Sequence, residues 1–225
     1  MAFRKKKLKG RNIVRNNKLF FITMGIAIIT LLLNILAYPY LPDKVPVHWG
    51  INGDVNRYGS KLELVGLGIL PIVLFFFLNN LPNIDPKKES YKKHKNAYTI
   101  STMVIILVLS CLNMSAIASG LGYHVPFNKV TPLLFGVLFI VLGNYMAQIR
   151  HNYFIGFRTP WTLASEYVWK KTHRVGGYVF VIVGLISLIA SFLGSIGMQL
   201  FFAALVIGVV SVYLYSYLLF KKQTK

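Results

Sequence analysis

A chain of 225 residues that is 55% hydrophobic and only 14% charged has too little polar surface for a water-soluble domain, in which about a quarter of residues are charged. The mean hydropathy is +0.57, and the apolar residues fall in long runs instead of alternating at helix or strand period, which predicts membrane spans. A formal net charge of +19 raises nucleic acid as a partner, but its distribution along the chain argues for a different cause once the spans are placed.

Residues 1–17 read as a basic tail carrying Arg4, Lys5, Lys6, Lys7, Lys9, Arg11 and Arg15, with Lys18 next. The apolar run 19–38 is long enough to cross about 30 Å of hydrocarbon. It leads into Ala37-Tyr-Pro-Tyr-Leu-Pro, not a small-residue cleavage site, so a retained first helix is expected. The loop 41–63 is rich in Pro, Gly and Asn. The second span covers 64–81 with Pro71 inside it, where a kink or a packed site is expected. Residues 82–95 form a short polar loop with Lys87, Lys88, Lys92, Lys93 and Lys95.

The third span, 98–121, includes Ser110, Asn113, Ser115 and Ser119, which suit helix contacts better than lipid. Its Cys111 reads as a small buried hydrophobe. A brief loop, 122–130, precedes the fourth span, for which Thr131 and Pro132 offer a cap and a first-turn proline. That span runs to about Arg150, with Gly136, Gly143 and Asn144 as candidates for close packing. A polar stretch follows, then a fifth span at 175–193, a turn at 194–197, and a sixth span at 198–220 ending in Lys221, Lys222 and Lys225.

The tail, the 82–95 loop, the 150–174 stretch and the carboxyl end hold every lysine and arginine except Lys44, Arg57, Lys61 and Lys129. Basic loops face the cytoplasm, so both termini are expected inside. Most of the positive charge is then a topology signal. No direct nucleic-acid binding is expected, whereas attraction to anionic headgroups follows. The expected fold is an all-α polytopic membrane protein with six transmembrane helices, a small extended extracellular loop and a cytoplasmic interfacial helix. Its expected organisation is the tail 1–17, a two-helix module 18–97 holding the loop 41–63, and a four-helix module 98–225 holding the stretch 156–177.

In the outer loop, Val45, Val47 and Trp49 alternate with Pro46, His48 and Gly50, a short strand pattern. Asn52-Gly53 supplies a tight turn and Gly59 a second reversal. An extended lid on the helix ends is expected, presenting His48, Trp49, Gly53, Tyr58 and Gly59. His48 and Asp54, with His124 in the next outer loop, are the available metal ligands. A pair without a clustered third ligand favours a hydrogen-bonded loop histidine and no metal site.

The most polar segment of the second half is Gly156-Phe-Arg-Thr-Pro-Trp-Thr-Leu-Ala-Ser-Glu166-Tyr-Val-Trp-Lys-Lys-Thr-His-Arg-Val-Gly-Gly177. A helix is expected from about Pro160, capped by Thr159 or Thr162, with Glu166 in its first turns. Glu166, Trp169, Lys170 and His173 fall on one helical face, and Glu166 precedes Lys170 in the favourable order. Glu166 and His173 could act as an acid–base pair with Arg158 holding an anion. No activated nucleophile, metalloprotease signature or cofactor motif accompanies them, so a structural or partner-binding use is the favoured reading.

This stretch, with Arg158-Thr159-Pro160-Trp161-Thr162, Glu166, Trp169, His173-Arg174 and Gly176-Gly177, resembles the signature of the SdpI family of bacterial membrane proteins. The pattern Leu41-Pro42-Asp43, Val45-Pro46, His48-Trp49, Gly53 and Tyr58-Gly59 resembles the amino-terminal module often joined to it, and Asn144 and Asn152 sit where that family carries asparagines. The resemblance implies a non-enzymatic immunity and sensing protein of the bacterial plasma membrane, acting against a secreted membrane-active peptide toxin. It also implies recruitment of a cytoplasmic transcriptional repressor to the membrane. On that reading the outer loop faces the toxin, and Arg158, Thr159, Pro160, Trp161, Thr162, Glu166, Trp169, His173 and Arg174 form the docking stretch.

Two other functions remain open from the residues. A transporter or extruder of peptides or lipids would need ionisable groups deep in the spans, which offer only Asn34, Asn113 and Asn144. A membrane enzyme would work through Glu166 and His173.

Overall fold

The structure, a computed structural model, describes residues 17–224; the basic tail expected at 1–17 lies outside the described residues except for its last position. Helix α1 (Asn17–Ala37) ends in a tight 3-10 turn, Tyr38–Tyr40, and is followed by strands β1 (Lys44–Trp49) and β2 (Val55–Ser60). Then come α2 (Lys61–Ile84), α3 (Lys88–Lys93), α4 (Lys95–Gly120), α5 (Phe127–Met146), α6 (Pro160–Ala164), α7 (Glu166–Ala190) and α8 (Gly194–Gln223). Helices α1, α2, α4, α5, α7 and α8 are each long and apolar enough to cross a membrane. Their outward faces carry exposed Ile, Leu, Val and Phe side chains, as a bundle solvated by lipid requires. This is a multi-pass membrane protein.

The chain reverses at each connection, so the bundle has two chemically different ends. One carries the β-hairpin, the 121–126 loop and the α7–α8 turn. The other carries α3, the 147–165 segment and the end of α8. We call them the hairpin end and the basic end.

Inside the bundle, α5 and α7 cross at two glycine pairs. A methyl group on Gly143 would stand 2.7 Å from the carbonyl of Gly177, and one on Gly184 would stand 2.8 Å from that of Gly136. Gly136 and Gly143 thus allow the backbone approach expected of them. Asn144, by contrast, is exposed and bonds only the Ile140 carbonyl of its own helix, at 2.8 Å. On the other side of the bundle, Asn34 of α1 donates to Asn113 Oδ1 of α4 at 2.6 Å and to Thr30 O at 2.7 Å. Gly68 of α2 leaves room for the Asn34 amide. This buried amide pair ties α1 to α4, where an unpaired amide in hydrocarbon would be costly.

Several boundaries differ from those read in the sequence. Helix α5 begins at Phe127, not Thr131, because Pro126 occupies the N-cap and accepts from the Lys129 and Val130 amides; Pro132 lies one turn in. The turn before α8 is made by residues 191–193, and Gly194, with φ +60°, opens the helix. The 82–95 segment is less of a loop than its composition suggests: α2 continues to Ile84 and α3 fills six residues of it. The interfacial helix is the largest departure. Only five residues, Pro160–Ala164, form a separate helix, and Ser165 breaks it in an extended conformation (φ −137°, ψ 122°). From Glu166 to Gly177 the polar stretch is the first three turns of α7 itself, whose N-cap is Ser165.

Candidate functional site

At the hairpin end, β1 and β2 pair antiparallel, with Lys44 opposite Ser60 and Trp49 opposite Val55. The register slips between Pro46 and Trp49. Val45 and Pro46, ahead of the slip, are both buried. Val45 packs with Leu41, Leu64, Ala116 and Phe127, and Trp49 stacks on Phe127 with ring centroids 3.8 Å apart. Gly53 turns the chain at φ +85°, and Asn128 donates to Asn52 O at 2.9 Å, fastening the tip to α5. Ser60 begins α2 with a reciprocal cap: its hydroxyl accepts from the Leu62 amide, and Glu63 accepts from the Ser60 amide. Gly59 leaves the space that the Glu63 carboxylate fills, and Tyr58 stands out into solvent.

His48 is exposed and its Nδ1 bonds Asn56 Oδ1 at 2.6 Å. Among the described residues no three His, Cys, Asp or Glu side chains come together, so His48, Asp54 and His124 are not a cluster. Beneath the hairpin lies a crevice of about 840 Å³. Its lip is polar, with His48, Asn52, Asp54 and Asn56, and its depth is formed by apolar residues of α2, α4, α5 and α8, with Asn113 among them.

The basic end is built on a different principle. Its centre is Asp85, buried to 2% exposure. Three donors satisfy it: the Lys87 amide at 2.7 Å, the Tyr91 hydroxyl at 2.9 Å and the Tyr153 amide at 3.0 Å. Burial, and then the bond to Asp85, hold the Tyr91 phenol far above its ordinary pKa. Asn152, fully buried, folds the 150–155 turn around its own amide: Oδ1 accepts from the Phe154 and Ile155 amides, and Nδ2 donates to the Arg150 and Ile155 carbonyls. Asp85 and Asn152 thereby lock the α2–α3 corner against the segment that precedes α6.

Histidines complete this node. His94 Nδ1 accepts from the Arg150 amide at 3.1 Å, and burial, reinforced by the Arg150 cation, lowers its pKa to about 4. His151 meets the Lys87 ammonium and sits edge-on to Trp169; burial and then Lys87 lower its pKa as well. Trp169 donates its indole N–H to Ile149 O at 2.9 Å and stacks on His173 with centroids 4.0 Å apart. Both His173 nitrogens are engaged by backbone: Nδ1 donates to Trp169 O at 2.9 Å, and Nε2 accepts from the Phe157 amide at 3.1 Å. That pattern fixes a neutral imidazole. Gly156, at φ +99°, is required beside it, because a side chain there would collide with the His173 ring.

The Arg-Thr-Pro-Trp-Thr core is a brace. Thr159 and Thr162 cap each other, with Thr162 Oγ1 also donating to Phe157 O at 2.7 Å. Thr159 Oγ1 bonds Ser216 Oγ of α8 at 3.1 Å, Trp161 packs edge-on to Tyr213 and tilted against Tyr217, and Ser165 reaches Gln223 at 2.8 Å. Pro160 starts the helix and is exposed.

The face predicted to unite Glu166, Trp169, Lys170 and His173 is therefore divided. Trp169 and His173 point inward and are fully buried, while Glu166 and Lys170 pair in solvent at 3.2 Å. All four lie in α7: Trp169 and His173 fall on its buried side with Val168 and Thr172, and Glu166 and Lys170 stand at its exposed margin. No hydrogen bond joins Glu166 to His173, so the acid–base pair considered from sequence is not assembled. Of the expected docking residues, Arg158, Pro160, Glu166 and Arg174 are exposed and Trp161 is half-buried, whereas Thr159, Thr162, Trp169 and His173 are interior. Asp85 and Asn152 carry the node, yet the sequence singled out only Asn152, and only as a family position. Nothing in local sequence marks this carboxylate as one that folds inward.

Fold and site together define a class: a six-helix membrane bundle with a hairpin closing one end and a hydrogen-bonded polar node at the other. A model of the SdpI/YfhL protein family matches residues 148–216, and a model of a domain of unknown function (DUF1648) matches residues 25–75. The Immunity protein SdpI of Bacillus subtilis (strain 168) is 30% identical over 171 residues, covering 76% of this chain and 80% of that protein. An uncharacterized protein of Archaeoglobus fulgidus is 29% identical over 126 residues, covering 47% of this chain and 69% of that protein. No solved structure gives a significant match. The chain belongs to the SdpI family.

Proposed function

We propose that this protein is a non-enzymatic immunity and sensor protein of a bacterial plasma membrane, protecting against a secreted membrane-active peptide. The observation that carries the reading is the similarity to an immunity protein across four-fifths of that protein's length. In this proposal both termini and the basic end face the cytoplasm, in keeping with the charge asymmetry of the loops. The amino-terminal module ends near residue 97, and its hairpin faces the toxin with the crevice beneath it.

The output would leave from the opposite end. A cytoplasmic repressor would meet the exposed subset of the motif, namely Arg158, Pro160, Glu166 and Arg174, while the interior subset holds these in place. The buried, backbone-engaged His173 and the solvent pairing of Glu166 support a binding role over an enzymatic one. The test is expression in a toxin-sensitive host lacking its own immunity protein. The proposal expects protection by the wild-type chain, loss of it in Trp49→Ala at equal membrane abundance, and full retention in Glu166→Gln. Protection lost in Glu166→Gln with normal abundance would favour an enzyme instead.

A further inference from the structure

A second pocket, of about 370 Å³, opens at the basic end. Its volume falls within the range of small-molecule sites. Tyr98, Ile105, Leu142, Met146, Phe157 and Phe180 give it apolar walls from α4, α5, α7 and the 149–158 segment, and Arg158 belongs to its lining. A helical peptide, about 10 Å across, does not fit such a volume, whereas a single flexible hydrocarbon chain does.

The polar partner at this pocket is equally specific. A guanidinium has five N–H donors, and the one bond seen for Arg158 runs from Nη1 to Tyr153 O at 3.0 Å. Among the described residues no carboxylate lies within ion-pairing distance of it. Lys87 places its ammonium 5.5 Å from the ring centroid of Tyr153, the residue whose carbonyl Arg158 bonds. The nearby buried carboxylate, Asp85, already has three donors. An apolar slot whose lining holds the Arg158 cation and no carboxylate matches a phosphodiester attached to an acyl chain, and favours a headgroup of net negative charge.

We propose that this pocket binds one acyl chain of an anionic phospholipid, with its phosphate on Arg158. The proposal needs only a bilayer at this end and stands apart from the immunity reading. Occupancy would bear on the motif through Phe157, whose ring packs against His173 and Phe180 and whose amide donates to His173. Arg158 of the motif would then be a lipid contact.

Native mass spectrometry of the full chain, released into an equimolar mixture of phosphatidylglycerol and phosphatidylcholine with identical chains, tests this. One phosphatidylglycerol should be retained in preference, and Arg158→Ala should weaken it about tenfold. Arg158→Lys should recover part of that loss. Ser101→Trp, which fills the pocket, should abolish retention, and Leu142→Phe should weaken it if the first variant does not fold. Lys221→Ala should change nothing. Soluble glycerol phosphate at millimolar concentration should not displace the lipid. Equal retention of the two lipids, indifference to the pocket-filling variants, or displacement by glycerol phosphate would overturn the proposal.

Discussion

The two ends of the bundle hold their shapes by different means. The hairpin is pinned by apolar contact, through Val45 in its cluster and Trp49 on Phe127, while its polar groups stay in solvent. The basic end hides its polar groups and bonds those of Asp85, Asn152 and His173 to neighbouring groups, while His94 Nε2, His151 Nε2 and Thr172 Oγ1 are buried without a hydrogen-bond partner among the described residues. A surface held by packing can present changing polar residues at its lip without losing its fold. A node held by hydrogen bonds tolerates few changes inside, and only its outer residues are free to vary in partner.

That contrast can be broken or sharpened by substitution. Asn152→Ala should have the largest effect, because two amides and two carbonyls lose their partner at once. A loss of about 3 kcal/mol or more is expected, read as a fall in unfolding temperature in detergent. Trp49→Ala should cost about 2 kcal/mol and lower hydrogen-exchange protection in β1 and β2, with the basic end unaffected. Equal loss of protection at both ends would erase the distinction.

Acid should act on the basic end before the hairpin. His94 is neutral and buried with its pKa lowered to about 4, below the unfolded value of 6.5. The unfolded chain therefore takes up the proton first, so the stabilisation is whole above about pH 6.5 and is lost as pH falls toward 4. His94→Asn should flatten that part of a stability-against-pH curve. The smallest effect belongs to the solvent pair: Glu166→Gln should change stability by less than about 0.5 kcal/mol.

How much of this was legible in the sequence divides along the same line. The six spans and the hairpin lid were readable because length, hydropathy and turn residues report on burial directly, as did Gly136 and Gly143 as contact points. The cap at Thr159 was readable because the Ncap hydroxyl acts locally. The break at Ser165 was not, since Leu163-Ala-Ser-Glu166 has no strong stop signal and the turn is set by contacts with α8. Nor was the burial of Asp85, whose donors come from residues 87, 91 and 153 and meet only in the fold. The motif suggested chemistry because its polar residues lie close in sequence. In space half of them point inward.

The most direct measurement is cysteine accessibility. In a Cys111→Ala background, single cysteines replace Tyr58, Arg158, Arg174, Thr162 and Thr172 and meet a membrane-impermeant maleimide in intact cells and in inverted vesicles. Tyr58→Cys should be labelled only in intact cells, and Arg158→Cys and Arg174→Cys only in inverted vesicles. Thr162→Cys and Thr172→Cys should stay unlabelled until the protein is denatured. Labelling of the two threonine positions at the rate of the arginine positions, or of Tyr58→Cys from the vesicle side, would contradict this arrangement.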